Sequence, residues 1–283
     1  MKNETSKKIL NKIKNSIDIL FEIEKEIYEL SLKIAKKLKK GEKGRVVFIG
    51  AGIASELAKV IIDELWFTFQ IDSKKFVALT AAKDYENVIE QGEWKKFEEI
   101  ASAPILQLDS INLTKEDLVI CLSASGKTQY IKYAMKYAHE IGCLIALITD
   151  FEETLMNKYV DIKINTQFGP SILIGLNAAD GGTIQKIVLD LLIYNSMEIL
   201  GRIWKGHLVY IRPSSKKIMN DCIRIICEIV SCSFEYALKL FQKNNNELET
   251  AIVSELLKLD YQSSRKVIEN NDYDFNRIFN TNT

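Results

Sequence analysis

The sequence has few residues that break regular secondary structure. Only 13 of its 283 residues are glycine and three are proline, so long helices and strands are expected, and a sandwich of many tight turns is disfavoured. Histidine occurs twice, and the five cysteines include no Cys-x-x-Cys pair. Neither a zinc site nor a disulfide framework is therefore predicted, and the cysteines are interpreted as buried free thiols.

Neither sign of charge is in excess, and long apolar runs are absent. The 38 basic and 38 acidic side chains leave a net charge of +0, so no nucleic-acid or membrane partner is expected. The most apolar stretch, 187–200, is interrupted by Asp190, Asn195 and Glu198, whereas a membrane helix needs about 18 apolar residues. The opening residues mix charge with isolated Ile and Leu, unlike a signal peptide. These features together predict a cytoplasmic protein.

The chain divides into three segments by its hydrophobic pattern. Residues 1–43 contain an amphipathic stripe at spacings of three and four, which predicts a long N-terminal helix that ends at Gly41. Residues 44–205 alternate short apolar runs with helical patterns. Residues 206–283 have only helical patterns, and the punctuation at Gly206 and Pro213 marks the boundary. The stripe on the first segment predicts packing on a domain or on a second subunit.

The middle segment has the pattern of an α/β domain. Continuous apolar runs are typical of parallel strands that are buried on both faces, and the intervening helices favour a doubly wound, five-stranded parallel sheet. No strand is expected after Gly169-Pro170, where helices are predicted at 183–200, 214–230, 233–243, 248–259 and 263–270. The predicted strands are 45–49, 76–79, 118–122, 143–149 and 159–164, and the predicted helices between them are 56–65, 84–100, 129–141 and 152–158.

The loop after the third predicted strand has the composition of a phosphate site. Three hydroxyl side chains, a glycine and a lysine precede a predicted helix, where free backbone N–H groups and the helix dipole favour an anion. A nucleotide P-loop is rejected because that motif needs glycine where Cys121 stands. A simple helix cap is the alternative, although capping needs only one hydroxyl. The candidate phosphate-binding residues are Ser123, Ser125, Gly126, Lys127 and Thr128.

The loop after the first strand is a weaker signal. Its Gly50-Ala51-Gly52 suggests a dinucleotide fingerprint, but the third glycine is missing and no acidic residue ends the second strand. Two glycines do allow a ligand to approach the backbone closely. We therefore include Gly50, Gly52 and Ser55 among the candidate substrate-binding residues.

Two carboxylates are candidates for proton transfer. Glu64 lies in an otherwise apolar stretch, and Glu93 is next to Trp94. A carboxyl group against apolar surface tends to have a raised pKa, which suits acid–base chemistry near neutral pH. A surface position is the alternative for each of them. His139 and His207 are isolated and are interpreted as structural or solvent-facing.

Taken in order, several motifs resemble the bacterial N-acetylmuramic acid 6-phosphate etherases. These proteins contain a sugar isomerase (SIS) domain and are related to the glucokinase regulatory protein. The similarity extends from about residue 12 to near the C-terminus. The motifs that carry it are Gly44–Gly52, Ser123–Tyr130, Gly169-Pro170, Gly181–Lys186 and Thr250–Val253.

This resemblance implies a lyase that removes the lactyl ether from a phosphorylated amino sugar without a metal or cofactor. Two glutamates of the family fall on Glu64, twelve residues after Gly52, and on Glu93, which ends a Glu-x-x-Glu quartet. We assign Glu93 as the base at the second sugar carbon, and Glu64 as the acid that protonates the leaving lactate and later activates water. The resemblance adds Thr183 and Lys186 to the candidate binding residues. It also implies a homodimer whose subunits complete one another's active site.

The chain departs from the family where the sugar pocket is expected. Residues 53–56 read Ile-Ala-Ser-Glu where the family has Thr-Ser-Gly-Arg, and 178–180 read Ala-Ala-Asp in place of Arg-Met-Lys. Loss of these cations should weaken binding of a substrate carboxylate. A related amino-sugar phosphate is therefore an alternative substrate. A non-catalytic sugar-phosphate sensor and an aldose–ketose isomerase of the SIS type are alternative functions.

Overall fold

The fold is described from a computed structural model that covers residues 4–81, 101–173 and 181–280. The chain separates into two compact units. The first contains Met1–Ile62 and Ser73–Ile193, and the second contains Asp63–Asp72 and Tyr194–Thr283. Each unit has its own apolar core and is considered separately below.

The first unit is built on a five-stranded, all-parallel sheet. Its strands pair in the order β2-β1-β3-β4-β5, and every pairing between neighbours is parallel. Every residue of β1 and of β3 is buried, as expected for parallel strands covered on both faces. The predicted doubly wound α/β sheet is confirmed. The strands are β1 (Val46–Gly50), β2 (Phe76–Thr80), β3 (Leu118–Leu122), β4 (Leu144–Thr149) and β5 (Ile162–Asn165).

Helices cover this sheet through regularly spaced apolar side chains. The predicted N-terminal helix consists of two successive helices, α1 (Glu4–Glu22) and α2 (Glu24–Leu38), which meet at Ile23. Helix α2 contacts β1, β3 and β5, and it buries an apolar stripe that includes Ile27 and Ile34. The other helices of this unit are α3 (Ile53–Asp63), α4 (Ser102–Ser110), α5 (Gln129–Ile141) and the first part of α6 (Gly181–Ile199).

The second unit is mainly helical, as predicted for the end of the chain. Its core includes Trp204, Ile226 and Phe275. Besides a π-helical turn at Glu64–Thr68 and the end of α6, it contains two short strands and five helices within the described residues. These are β6 (Ile203–Trp204), β7 (His207–Leu208), α7 (Lys216–Val230), α8 (Phe234–Lys243), α9 (Leu248–Leu257), α10 (Tyr261–Asn270) and α11 (Phe275–Ile278).

Several local predictions are wrong. The helix expected at 152–158 is a loop with one 3-10 turn, Asn157–Tyr159, because Thr154 and Asn157 side chains bond to nearby backbone and to each other. Strands do not cease after Pro170, since β6 and β7 form a small antiparallel pair. The helix predicted at 84–100 lies outside the described residues. No helix in the described part of the chain has both the length and the apolar character needed to cross a bilayer.

The cysteines also differ from the prediction in part. Cys121, Cys143 and Cys222 are buried, whereas Cys227 and Cys232 are partly exposed. Burial raises the pKa of the Cys143 thiol to about 12 and that of the Cys222 thiol to about 11. The three buried thiols therefore fit the expected structural role, but the remaining two do not.

Candidate active site

The candidate site lies at the carboxyl ends of the parallel strands. Gly50, Thr80 and Thr149 are the last residues of β1, β2 and β4, and Ser123 directly follows β3. In a parallel sheet these ends all lie at one edge, where loops lead into helix N-termini. Folding therefore brings the two loops that were selected from the sequence to the same edge of the first unit.

The loop of residues 123–128, called the phosphate loop below, connects β3 to α5. Its first residue is held by the sheet, since the Ser123 N–H donates to the Ile148 carbonyl at 3.0 Å. The Gly126 N–H donates to the Ser123 carbonyl at 3.1 Å, and the Lys127 N–H donates to Ser125 Oγ at 3.2 Å. Lys127 is exposed, whereas Ser123 is buried. The loop is thus a tight turn that presents one lysine to solvent at the start of a helix.

The hydroxyl groups of the phosphate loop are not used to cap α5. Thr128 occupies the N-cap position, yet its side chain makes no capping hydrogen bond. It instead lies 3.4 Å from the hydroxyl of Ser123. The alternative interpretation of this sequence as a simple capping cluster is therefore not supported, and the N-terminal N–H groups of α5 lack a side-chain cap from this residue.

Glycine is required at position 126 of the phosphate loop. Its φ angle is +63°, and a β-carbon added there would lie 2.2 Å from Cγ2 of Thr154. Both the left-handed backbone and the nearby side chain therefore exclude larger residues. The turn that gives this loop its shape depends on that position.

A buried cluster of polar groups lies behind the phosphate loop, and no sequence motif indicated it. The Thr149 hydroxyl and the Asp150 N–H both donate to the Ala124 carbonyl, at 3.2 and 3.0 Å. The Asp150 carboxylate accepts a 2.8 Å bond from the Thr166 hydroxyl, and a β-carbon at Gly181 would lie 2.2 Å from its Oδ2. Asp150 thus links the loop to the start of α6. Its place directly after β4 was the signal that could have identified it.

A second buried network joins the start of α5 to the end of β2. The Tyr130 hydroxyl donates to Oε1 of Gln107, and Nε2 of Gln107 donates to the Thr80 carbonyl at 3.1 Å. Tyr130 is fully buried and Gln107 nearly so. This network was also missed, because Gln107 lies on a helix that no sequence motif connects to the site.

The loop after β1 combines a close backbone approach with an apolar side chain. A β-carbon at Gly50 would lie 2.7 Å from the carbonyl carbon of Ala54, so glycine permits α3 to start directly at the strand end. The Ser55 hydroxyl, predicted to bind substrate, is buried and donates to the Gly52 carbonyl at 2.6 Å. Ile53 is 47% exposed. An apolar side chain therefore lies at the surface where α3 begins.

The two candidates on α6 lie in its first turns. Thr183 is exposed. Lys186 forms an ion pair with Asp190, one helical turn further on. The Lys186 ammonium group is thus paired with a carboxylate of its own helix. Of the two candidates, only Thr183 is exposed.

The carboxylate Glu64 belongs to the second unit. It begins the π-helical turn, in which the Phe69 N–H donates to the Glu64 carbonyl at 3.3 Å; such turns are frequent at functional sites. Glu64 is partly buried and lines a cavity of about 290 Å³. Glu93, the second predicted catalytic residue, lies outside the described residues. The other residues that line the cavity are Thr68, Phe69, Tyr194, Ile203, Gly206 and Leu208.

Comparison with solved structures identifies the class of fold. A phosphoheptose isomerase from Francisella tularensis superposes with a TM-score of 0.51 at 17% identity, over 69% of this chain and 98% of that one. This likeness shows that the two proteins share an α/β fold. No family model matches the sequence.

Curated relatives identify the family more closely. An N-acetylmuramic acid 6-phosphate etherase of Francisella tularensis subsp. holarctica is 31% identical over 90% of this chain and 85% of its own length. The protein of the same name from Bacillus cereus is 31% identical over 84% of this chain and 81% of its own length. The chain belongs to the N-acetylmuramic acid 6-phosphate etherase family, and the resemblance stated from its motifs is confirmed.

Proposed function

We propose that this protein is a carbon–oxygen lyase that removes the lactyl ether from N-acetylmuramic acid 6-phosphate or a related amino-sugar phosphate. The observation that carries this proposal is the 31% identity to curated etherases over 90% of the chain. The shape of the phosphate loop supports it independently, because its tight turn at a helix N-terminus suits a phosphoryl group.

The phosphate loop would hold the sugar by its phosphate. Backbone N–H groups at the start of α5 would donate to the phosphate oxygens, the hydroxyls of Ser125 and Thr128 would add further bonds, and Lys127 would supply positive charge. Asp150 and Thr149 fix the loop from behind through the Ala124 carbonyl. A loop that is already in place loses little conformational entropy when the ligand binds.

The proposed reaction requires one base and one acid. The hydrogen on the carbon beside the opened aldehyde is weakly acidic, so Glu93 would remove it. Elimination then breaks the bond from the third carbon to the ether oxygen, and Glu64 would protonate that oxygen as lactate leaves. Water activated by Glu64 would add to the resulting enal and give N-acetylglucosamine 6-phosphate. This route balances without an external oxidant, a metal or a nicotinamide cofactor.

The assembly and cellular role are part of the same proposal. Apolar side chains along α1 and α2 are open to solvent, among them Leu10, which is 65% exposed, and Phe21, which is 77% exposed. A homodimer would bury such side chains, and light scattering that gives the mass of one chain at working concentration would contradict it. With a phosphorylated cell-wall sugar as substrate, the protein would act in the cytoplasm, in cell-wall recycling.

Release of lactate tests the proposed function directly. The purified protein is incubated with N-acetylmuramic acid 6-phosphate in deuterium oxide, and lactate and deuterium at the second carbon are both measured. Glu93→Gln should abolish both signals, and Glu64→Gln should reduce lactate release more than deuterium uptake. Glu90→Gln, in the same quartet, is the matched control and should retain activity. No lactate from the unaltered protein, with the sugar phosphate bound, would refute the etherase assignment.

The exposed Ile53 favours a second candidate, a sugar-phosphate-binding regulatory protein. Residues 50–56 contain no lysine or arginine, and the hydroxyl of Ser55 is bonded to the Gly52 carbonyl, so this loop offers a substrate no cation. Thermal stabilisation by hexose 6-phosphates without any product would support this alternative; ligand at 100 times its dissociation constant adds about 2.7 kcal/mol. Deuterium uptake with ketose formation but no lactate would indicate an isomerase instead.

A further inference from the structure

Two cysteines of the second unit lie side by side at the end of α7. Cys227 is in the last turn of this helix, and Cys232 is the second residue after it. Both side chains are partly exposed, unlike those of Cys121, Cys143 and Cys222. This pair takes no part in the proposed reaction.

A left-handed residue brings the backbones of the two cysteines together. Ser231, between the helix end and Cys232, has φ of 57° and ψ of 52°, which reverses the chain. The Cys232 N–H then donates to the Cys227 carbonyl at 3.2 Å. Helix ends with this hydrogen bond often bring the side chains of the two bonded residues together. In most proteins that contact is between apolar residues, whereas here both are cysteines.

The backbone hydrogen bond keeps the two cysteines close to one another. Residues that share such a bond at a helix end have their α-carbons close together, as a disulfide requires. Burial is the main cause that raises the pKa of the Cys232 thiol, and the nearby Cys227 side chain raises it further.

We infer that Cys227 and Cys232 form a reversible intramolecular disulfide when the protein meets a hydroperoxide. One thiolate attacks the terminal peroxide oxygen, the O–O bond breaks, and a sulfenic acid and one molecule of water form from hydrogen peroxide. The second thiol then attacks that sulfur, the S–S bond forms, and a second water leaves. Both sulfurs are oxidised and the peroxide is reduced. The new bond would join Cys227, in the last turn of α7, to Cys232, which directly precedes Ser233, the N-cap of α8.

Thiol counting tests this inference on the full-length protein. The chain is treated with hydrogen peroxide at pH 7 and pH 8.5, unfolded, and alkylated with N-ethylmaleimide for intact-mass and peptide analysis. Five adducts are expected before oxidation. After it, the two partly exposed thiols should be lost together, and the 227–232 linkage should appear in the peptide map. Oxidation should be faster at pH 8.5, because the thiolate is the reacting form, and dithiothreitol should restore all five adducts.

Serine variants supply the controls. Cys227→Ser and Cys232→Ser each leave four cysteines, and neither variant should lose a pair of thiols under the same treatment. Because serine is close in size and both positions are partly exposed, folding should be preserved, and circular dichroism checks this. Five adducts after peroxide, a disulfide between two chains, a bridge that involves a buried cysteine, or a single thiol oxidised to sulfinic acid would each overturn the inference. None of these outcomes depends on lactate release, so the result is separate from the proposed function.

Discussion

Replacing Gly126 by alanine should damage the phosphate loop without touching any proposed reacting group. The added β-carbon would lie 2.2 Å from Cγ2 and 2.8 Å from Cβ of Thr154, and neither atom is the end of a flexible chain. Gly142, at the other end of α5, provides a matched control. Its φ of +89° is also left-handed, but the nearest atom to an added β-carbon is Cβ of Lys115 at 3.9 Å.

The difference between the two variants isolates the steric contribution. A left-handed alanine costs roughly 1–2 kcal/mol at either position. Overpacking against Thr154 adds a further ~1–3 kcal/mol to Gly126→Ala, unless the loop moves away. Any such movement shifts the N–H groups that would bind phosphate. We therefore expect Gly126→Ala to bind hexose 6-phosphates at least tenfold more weakly, and Gly142→Ala to bind them as the parent does.

Urea unfolding and titration calorimetry with a hexose 6-phosphate measure these two effects. Thr154→Ser in the Gly126→Ala background removes the closest atom and keeps the hydroxyl that bonds to Asn157 at 2.7 Å, so it should restore part of both stability and affinity. Equal losses for Gly126→Ala and Gly142→Ala, in stability and in binding, would refute the reasoning. Unchanged affinity in Gly126→Ala would show that the phosphate group binds elsewhere.

Three further predictions concern buried polar groups. Burial raises the pKa of Glu249 to about 7, so between pH 4.5 and pH 7 the folded state keeps a proton that the unfolded state releases. The free energy of unfolding should therefore fall by up to roughly 3 kcal/mol over this range. In urea titrations, Glu249→Gln should lack this fall. Burial alone would raise the pKa of Asp117, but hydrogen bonds, chiefly from the Arg45 side chain, lower it. The stability that this carboxylate contributes is therefore present at neutral pH and lost in acid. Asp117→Asn should lower the free energy of unfolding by roughly 2–3 kcal/mol at pH 7. Tyr130→Phe leaves the buried Oε1 of Gln107 without this donor and should cost ~1–3 kcal/mol and raise the KM for the sugar phosphate.

Each of these predictions has a clear contrary result. Glu235 is exposed on α8 of the same unit, and a Glu235→Gln variant with the same pH profile as Glu249→Gln would exclude burial as the cause. An Asp117→Asn variant whose destabilisation is equal at pH 7 and pH 3 would contradict the charge argument. A Tyr130→Phe variant with unchanged stability and KM would separate the Gln107 network from the site.

The sheet could be predicted from the sequence because its signal is local. The first four strands lie within one residue of their predicted bounds, and β1 and β3 are continuous apolar runs in which every residue is buried. The edge strand β5 begins three residues later than predicted and has one buried residue among its four. The hairpin of β6 and β7 could not be predicted, because two-residue strands carry no periodicity. The segment 152–158 has helical spacing, but Thr154 and Asn157 form local side-chain bonds that compete with the helix.

The candidate site was predictable only in part, for a similar reason. The phosphate loop is a contiguous motif, so its residues could be selected together. Gln107 and Asp150 act through partners that are 16 to 27 residues away in sequence, and no spacing rule joins them. The π-helical turn at Glu64 could not be predicted either, because residues 60–67 are apolar apart from Asp63 and Glu64 and no spacing in them marks a change of helix type.

The edge of the sheet combines fixed and replaceable positions. Gly50 and Gly126 admit no larger side chain, whereas Ile53, on the loop that starts at Gly50, is half in solvent. One side of Ile53 lies against the start of α6, since a β-carbon added at Gly182 would be 2.9 Å from its Cγ2, and the other side is open to solvent. Within this family, new substrate preferences could arise by drift at such outward-facing positions, long before the glycine framework itself is altered.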